Sequence, residues 1–183
     1  MAKQQRAKAK GRPRDRRLFT VDVVIIGGPV TGEFVEKNKV VSRTIQIRGD
    51  QTLQELHDAI FDAFDRFEEH LYEFRVGAKK PRDRNATVYE VRRPTTSILD
   101  LFDDKPAGYV DKTTIGSIGL KAGDVFFYRF DFGDDWWHRI KVLSIEESAP
   151  ASGLPRVTHE KGDSPPQYPD LEDEDQDFEE ESE

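Results

Sequence analysis

The chain has 183 residues and contains no cysteine. This absence excludes disulfide frameworks, thiolate catalysis and cysteine-ligated zinc. Long hydrophobic runs are also missing, because no apolar stretch approaches the roughly 20 residues that span a bilayer. The basic N-terminus leads into a strand-like segment rather than into the apolar region of a signal peptide. We therefore expect a cytoplasmic protein that makes no membrane contact.

Charge is distributed unevenly along the chain. Eight of the 28 basic residues lie within residues 1–17, and ten of the 36 acids lie within residues 170–183. Without those residues and Asp15, 20 basic and 25 acidic side chains remain. The net charge of −8 is therefore a poor guide to the partners of the protein.

These features divide the chain into three parts. Residues 1–17 are predicted to be a disordered basic arm, which could follow the phosphates of a nucleic acid. Residues 18–148 are predicted to be a single domain, since the hydrophobic content of 36% suits one globular core. Residues 149–183 are predicted to be an extended proline-containing segment that ends in a disordered acidic tail.

The predicted domain begins with two strand-like segments, "LFTVDVVIIGGP" and "VVSRTIQIRG". Alternation of apolar with polar or small residues predicts a strand in each. Arg43 shares the apolar face of the second strand. The apolar positions are Phe19, Val21, Val23, Ile25, Val41, Ile45 and Ile47. A connection of roughly 12 residues would make the two strands an antiparallel pair joined by a long hairpin loop.

A helix is predicted from the segment "TLQELHDAIFDAFDRF". Thr52 and Glu55 have the spacing of a capping box at its start. His57 and Asp58 are interpreted as surface residues beside an apolar stripe that the sheet must cover. The stripe consists of Leu53, Leu56, Ile60, Phe64 and Phe67.

The next segments are shorter and more polar. "LYEFRVG" predicts a third strand, and "GAKKPRDRN" predicts a basic loop too polar to pack. "TVYEV" is a short strand candidate, and "TTIGSIGLKAGD" is typical of one helical turn followed by a tight loop.

The segment "YRFDFGDDWWHRIKV" predicts a hairpin, for which two registers are possible. A two-residue loop at 134–135 places Asp131 across from His138, where the two could share a metal ion or a proton. A three-residue loop at 133–135 places Phe130 across from His138 instead. The choice decides which side chains share a face of the sheet.

The three-residue loop separates apolar from charged residues almost completely, and we prefer it for that reason. Such loops need a residue in the left-handed backbone region, which Asp tolerates. In this register the apolar face carries Phe126, Tyr128, Phe130, Phe132, Trp136, His138, Ile140 and Val142. The opposite face carries Arg129, Asp131, Trp137, Arg139 and Lys141.

In this register His138 lies on the core face, where a neutral structural histidine is expected. Asp131 and Asp134 flank Gly133, and Asp side chains commonly accept hydrogen bonds from the N–H groups of a turn. The corner of the hairpin is therefore interpreted mainly as a capped turn.

The same corner allows a different interpretation. Asp131, Asp134 and His138 could form the metal or catalytic site of a metal-dependent hydrolase or nuclease, with Asp135 or Glu146 in support. Metal ligation needs at least three converging donors, and this hairpin offers several carboxylates but only one imidazole.

The hairpin, with "TIGSIGLKAGD" before it, resembles the plasmid pRiA4b ORF-3-like family. The segment "EKGDSPPQYPD" at residues 160–170 is similar to a C-terminal segment of that family. The chain lacks the cysteines that many relatives carry there, so any metal role of those cysteines does not transfer. The signature is matched by Phe130, Asp131, Phe132, Gly133, Asp134, Trp136, His138 and Ile140.

The resemblance implies an α+β fold in which a β-grasp-like mixed sheet packs on one main helix. It also implies an association with plasmids or other mobile elements, but no established biochemical activity.

The leading functional hypothesis is a non-enzymatic binding module without a cofactor, whose partner is a protein or a nucleic acid. Trp137 beside Arg129 and Arg139 would form an exposed surface suited to stacking and to phosphate contacts. Lys141 extends this predicted binding surface along the same strand.

Overall fold

The computed structural model of the protein describes residues 14–92 and 106–170. Within these ranges one large sheet packs against the longer of two α-helices. The elements in chain order are β1 (Leu18–Gly27), α1 (Gly32–Lys37), β2 (Ser42–Arg48), α2 (Leu53–Ala63), β3 (Tyr72–Val76), β4 (Thr87–Glu90), β5 (Gly108–Tyr109), a 3-10 turn (Ile115–Ser117), β6 (Val125–Phe130), β7 (Trp136–Glu146) and β8 (Arg156–Lys161).

The sheet has the strand order β5-β4-β3-β6-β7-β1-β2-β8. Only β4 and β5 pair in parallel, and every other neighbouring pair is antiparallel. The prediction of an α+β fold with a mixed sheet is therefore confirmed. The β-grasp-like arrangement and the single main helix are not confirmed.

The first two strands pair as their alternation predicts. Val21 lies opposite Ile45 and Val23 lies opposite Arg43 in an antiparallel ladder. Arg43 is only 3% exposed, and its guanidinium donates to the carbonyl of Ala63 at 2.7 Å and to the hydroxyl of Ser164 at 2.9 Å. A buried cation needs such partners because burial removes its water.

Helix α1 was not expected in the connection between β1 and β2. The Thr31 hydroxyl caps it by accepting a hydrogen bond from the Phe34 N–H at 3.2 Å. None of its six residues is buried. It therefore has no apolar stripe from which a helix could be predicted.

Helix α2 begins as predicted, with Thr52 and Glu55 forming both hydrogen bonds of a capping box. The stripe prediction holds through Phe64 but is wrong for Phe67, which is 70% exposed. The helix ends at Ala63, and Asp65 then adopts a left-handed conformation with φ of 53°. The chain changes direction there, so the helical spacing no longer applies.

His57 is buried and only 2% exposed, so its interpretation as a surface residue was wrong. It follows Leu53 by four residues and precedes Ile60 by three. This spacing places it on the same face of the helix as the apolar stripe. Its ring stacks on that of Tyr72 with centroids 3.6 Å apart. Asp58 is exposed, as expected.

The ends of the described chain are bonded to the sheet region. The Arg17 carbonyl accepts from the Gly49 N–H at 2.8 Å, and the Arg16 carbonyl accepts from the Ala149 N–H at 2.6 Å. Strand β8 lies within the segment 149–183 and pairs with β2. Residues 1–13 of the predicted arm and residues 171–183 of the predicted tail lie outside the described residues. Within the described part of the chain, no helix is long and apolar enough to cross a membrane.

Candidate functional site

The hairpin between β6 and β7 has a register that neither prediction gave. Phe130 pairs with Trp136 and Tyr128 pairs with His138, which leaves a five-residue loop at 131–135. The preferred register was therefore wrong by two residues. Because side chains alternate with a period of two, this shift preserves the predicted division of the strand residues between the two faces. Phe132 lies in the loop rather than on a strand.

Asp131 organises the loop at the corner of the hairpin. It is only 7% exposed and has a left-handed backbone with φ of 52°. Its Oδ1 atom accepts hydrogen bonds from the Gly133 N–H at 2.9 Å and the Asp134 N–H at 3.3 Å. Its Oδ2 atom lies 3.4 Å from Nε2 of His70. The capping role expected of an Asp in this corner therefore belongs to Asp131.

His138 lies in the core and is 1% exposed. Its ring packs at 5.1 Å between centroids against both Phe64 and Tyr128. Burial lowers the pKa of His138 to about 3, so the imidazole is neutral near pH 7. This is the structural histidine that the apolar alternation predicts.

The three residues of the alternative metal site have separate environments. His138 is enclosed by aromatic rings, whereas Asp131 caps the loop. Across residues 14–92 and 106–170, no three His, Cys, Asp or Glu side chains are grouped so as to hold a metal ion. No geometry in these ranges supports a metal-dependent reaction at Asp131, Asp134 and His138.

Trp137 is buried at 5% exposure, so the expected exposed stacking surface was wrong. Its ring packs with Phe127 and Ala78, because the basic loop that follows β3 folds back over the strand. Two guanidinium groups also cover it, those of Arg82 at 5.6 Å and Arg129 at 5.5 Å from the ring centroid. A loop predicted to be too polar to pack thus covers an aromatic side chain.

Arg129 is not a free cation either. Its Nε atom donates to Oδ1 of Asp135 at 2.5 Å, and Arg82 bonds to the other oxygen of the same carboxylate. Asp135 therefore links the hairpin corner to the basic loop. The two arginines share one carboxylate, which leaves one net positive charge, and they shield Trp137 from solvent.

Arg139 and Lys141 remain exposed on the face of the sheet opposite α2, which we call the outer face. They follow Trp137 at alternate positions along β7 and therefore point the same way. Their cross-strand neighbours on β1 are Val24 and Asp22. Neither side chain forms an ion pair with another described residue.

A second cationic group lies at the end of β2. Arg14 and Arg16, which belong to the described part of the predicted basic arm, are exposed. They line a surface cavity of about 470 Å³ together with Arg48 and Asp50. Arg48 donates to Asp50 at 2.5 Å, so one carboxylate accompanies three guanidinium groups. The base of the arm therefore borders the outer face at the end of β2, where Glu146 lies across β1 from Arg48.

On the helix side, Arg66 connects the hairpin with the segment 163–168. Its guanidinium lies 3.9 Å from the ring centroid of Trp136, and its Nη1 atom donates to the Pro165 carbonyl at 3.2 Å. Burial lowers the pKa of Arg66 to about 10. Gln167 fixes the same region by accepting from the N–H groups of Phe67 and Glu68. Local alternation gives no signal for these contacts, which join residues about 100 positions apart.

The structure is that of an α+β protein with one mixed sheet, in which Asp131 caps the corner of the β6–β7 hairpin. The chain belongs to the family described as plasmid pRiA4b ORF-3-like protein, which matches residues 33–173. This match confirms the resemblance seen in the hairpin and the C-terminal segment.

The chain is also similar to a crystal structure described as a protein of unknown function, MM3350, from Methanosarcina mazei Go1. The two chains are 19% identical, with a TM-score of 0.58 over 81% of this chain and 71% of that chain. At this identity the likeness shows the fold alone. Among curated proteins there is no significant match.

Acid should destabilise the fold through its buried histidines. Burial holds the pKa of both His57 and His138 at about 3 in the folded protein, against about 6.5 in an unfolded chain. The unfolded chain therefore binds more protons between these values. The neutral histidines contribute fully to the free energy of unfolding above about pH 6.5. As the pH falls below that value, the free energy of unfolding decreases by up to about 1.4 kcal/mol per pH unit for each histidine.

Urea unfolding at pH 7 and pH 5 tests this expectation. The free energy of unfolding should be lower at pH 5 than at pH 7. In His138→Gln this difference should be smaller than in the unchanged protein by up to about 2 kcal/mol. His159→Gln is the matched control, because the side chain of His159 is exposed. An unchanged pH-dependent loss in the His138 variant would contradict the buried, neutral state of this ring.

The two aspartates that flank Gly133 should differ in their effect on stability. Asp131→Ala removes two capping hydrogen bonds and places a less tolerant residue at positive φ, so it should cost about 1–2 kcal/mol. Asp131→Asn keeps an acceptor oxygen and should cost less. Asp134→Ala is the control from the same loop, since none of the described residues donates a hydrogen bond to its carboxylate. Equal unfolding free energies for the Asp131 and Asp134 alanine variants would refute the capping role.

Proposed function

We propose that this protein is a non-enzymatic binding module for double-stranded nucleic acid, with its contact surface on the outer face of the sheet. The observation that carries the proposal is the shared cavity of Arg14, Arg16 and Arg48. It joins the base of the basic arm to the cationic outer face. Cations of the arm and the sheet can then contact successive phosphates of one duplex.

The charges of this face support a phosphate partner. Arg139 and Lys141 provide exposed cations at its centre, and Arg156 on β8 adds another beside Gln46. Several acids share this face: Glu73 bonds to Arg75 at 2.9 Å, Glu90 lies opposite Glu73, Asp22 lies opposite Lys141, and Glu146 lies opposite Leu18. Arg139, Lys141 and Arg156 form no ion pair with another described residue, so these exposed cations are available to phosphates although the net charge of the protein is −8.

The burial of Trp137 favours a duplex over a single strand. Recognition of single strands relies on bases that stack on exposed aromatic rings, and Arg82 and Arg129 cover this ring. Phosphate contacts to a duplex need only placed cations and depend weakly on sequence. An association with plasmids or other mobile elements, which the family description suggests, fits a protein that contacts DNA.

Salt dependence of binding tests the proposal directly. The logarithm of the association constant for a 20-bp duplex should fall linearly with the logarithm of salt concentration, because each neutralised phosphate releases counterions. The double variant Arg139→Gln and Lys141→Gln should reduce the slope by about two, at about 0.9 per phosphate contact. Deletion of residues 1–13 should reduce the slope further. Fluorescence anisotropy at salt concentrations from about 50 to 200 mM measures both effects.

The matched control carries Lys39→Gln and Lys121→Gln, which remove two exposed cations that lie in loops rather than on the outer face. This control should keep the slope of the unchanged protein. A flat salt response, or equal slopes for the two double variants, would refute the proposal and leave a protein partner as the alternative.

A further inference from the structure

A cleft of about 380 Å³ opens on the helix side of the sheet, away from the outer face. It lies where α2 approaches the start of β3 and the residues that follow β4 and β5. Its volume falls within the range of small-molecule sites, roughly 300–1,000 Å³. It is therefore large enough for a small ligand.

The walls of the cleft carry more negative than positive charge. Asp58, Glu69 and Asp111 contribute carboxylates, whereas Arg92 is the one lysine or arginine among the described lining residues. Lys112, next to the cleft, pairs with Oδ2 of Asp111 at 3.4 Å and leaves Asp58 and Glu69 without a lysine or arginine partner among the described residues. Burial raises the pKa of Glu69, and the charges of Asp58 and Asp62 raise it further. Burial and neighbouring carboxylates both disfavour the charged form of an acid. The electrostatic environment thus favours a positively charged ligand.

Two polar groups in the cleft lack partners. Tyr72 is only 6% exposed, and its hydroxyl makes no hydrogen bond with any described residue, although it lines the cleft beside the carboxylates. Burial raises its pKa, and the charges of Asp58, Glu69 and Asp111 contribute. Oδ1 of Asp111 is also buried without a hydrogen-bond partner in the described part of the chain. Buried polar groups are normally satisfied, so a ligand donor would complete Oδ1 of Asp111 and would find a second acceptor in the Tyr72 hydroxyl.

His57 holds this wall in place. Its Nε2 atom lies 3.2 Å from Oε2 of Glu69, and its Nδ1 atom lies 2.7 Å from the hydroxyl of Tyr128. Burial lowers the pKa of His57 to about 3, so the ring is neutral. A carboxylate only accepts hydrogen bonds, so Nε2 carries the hydrogen and Nδ1 accepts from Tyr128. Glu69 is thereby oriented while its side chain remains 66% exposed.

We propose that this cleft binds a small organic cation with N–H donors, an alkylammonium or guanidinium group. Glu69 and Asp58 supply the opposite charge, and Asp111 Oδ1 accepts a hydrogen bond. The Tyr72 hydroxyl also accepts from the ligand. This proposal is independent of nucleic-acid binding, because the cleft and the outer face lie on opposite sides of the sheet.

The probes are methylguanidinium and butylammonium, titrated into the full-length protein and followed by two-dimensional NMR. Both should cause saturable shifts of the His57, Tyr72 and Asp111 signals. Tetramethylammonium has the same charge but no N–H donor, so it should bind at least about tenfold more weakly, as loss of hydrogen bonds to charged groups implies. Absence of saturable shifts, or equal affinity for tetramethylammonium, would overturn the proposal.

Glu69→Gln tests the assigned residue, and it retains an acceptor for His57. It should weaken methylguanidinium binding by about tenfold, because a charged partner is lost. Glu36→Gln removes an equal charge from an exposed position on α1 and should leave affinity unchanged. Equal weakening by both variants would overturn the site. Asp58→Asn gives a second test that does not involve the His57 hydrogen bond.

The cation could come from a free metabolite or from a side chain of another protein. A capped Gly-Arg-Gly peptide therefore accompanies methylguanidinium in the titration. Tighter binding of the peptide assigns the cleft to an arginine side chain, and tighter binding of the free cation assigns it to a small molecule. Failure of both to bind would refute the cleft as a cation site while leaving the nucleic-acid proposal untouched.

Discussion

The alternation of side chains along β6 and β7 is the constraint on which the rest of the structure depends. It sends Phe126, Tyr128 and His138 into the core and Arg139 and Lys141 to the outer face. A shift of one residue would exchange these two sets. The division between the aromatic core and the cationic outer face therefore follows from this alternation.

The aromatic face of the sheet must be shielded from water. The elements that shield it, α2 and the segment 163–168, bring several polar groups into the interior. Helix α2 brings His57 against Tyr72 and Tyr128. The segment 163–168 is held by Arg66, whose guanidinium lies over the ring of Trp136 and donates to the Pro165 carbonyl. Each of these groups keeps at least one hydrogen bond inside the protein, which offsets part of the cost of removing it from water, although Nε and Nη2 of Arg66 have no hydrogen-bond partner among the described residues.

Much of this fold could be predicted from the sequence because it depends on local periodicity. The alternation in β1 and β2, the Thr52 capping box and the two faces of the hairpin are examples. The register of the hairpin was missed because a shift of two residues leaves the pattern of faces unchanged. Backbone hydrogen bonding around Asp131 and Asp135 decides the loop length, and the residue pattern does not encode it.

The candidate sites were harder to predict because they depend on contacts between distant segments. Trp137 alternates like an exposed residue, yet Ala78 and Arg82 from the loop after β3 cover it. His57 was predicted to lie beside the apolar stripe rather than on it, yet its spacing to Leu53 and Ile60 is that of a buried residue. The cavity of Arg14, Arg16 and Arg48 joins the N-terminus to the end of β2, and no local pattern predicts this proximity.

If the two sides of the sheet have separate functions, NMR signals on only one side should change when a duplex binds. A 20-bp DNA at a concentration well above its dissociation constant saturates the protein. Under these conditions we expect amide shifts at Arg139, Lys141 and Arg48. Helix α2 and the cleft around His57 should keep their signals. Shifts concentrated on α2 and the cleft, with an unchanged outer face, would contradict the account.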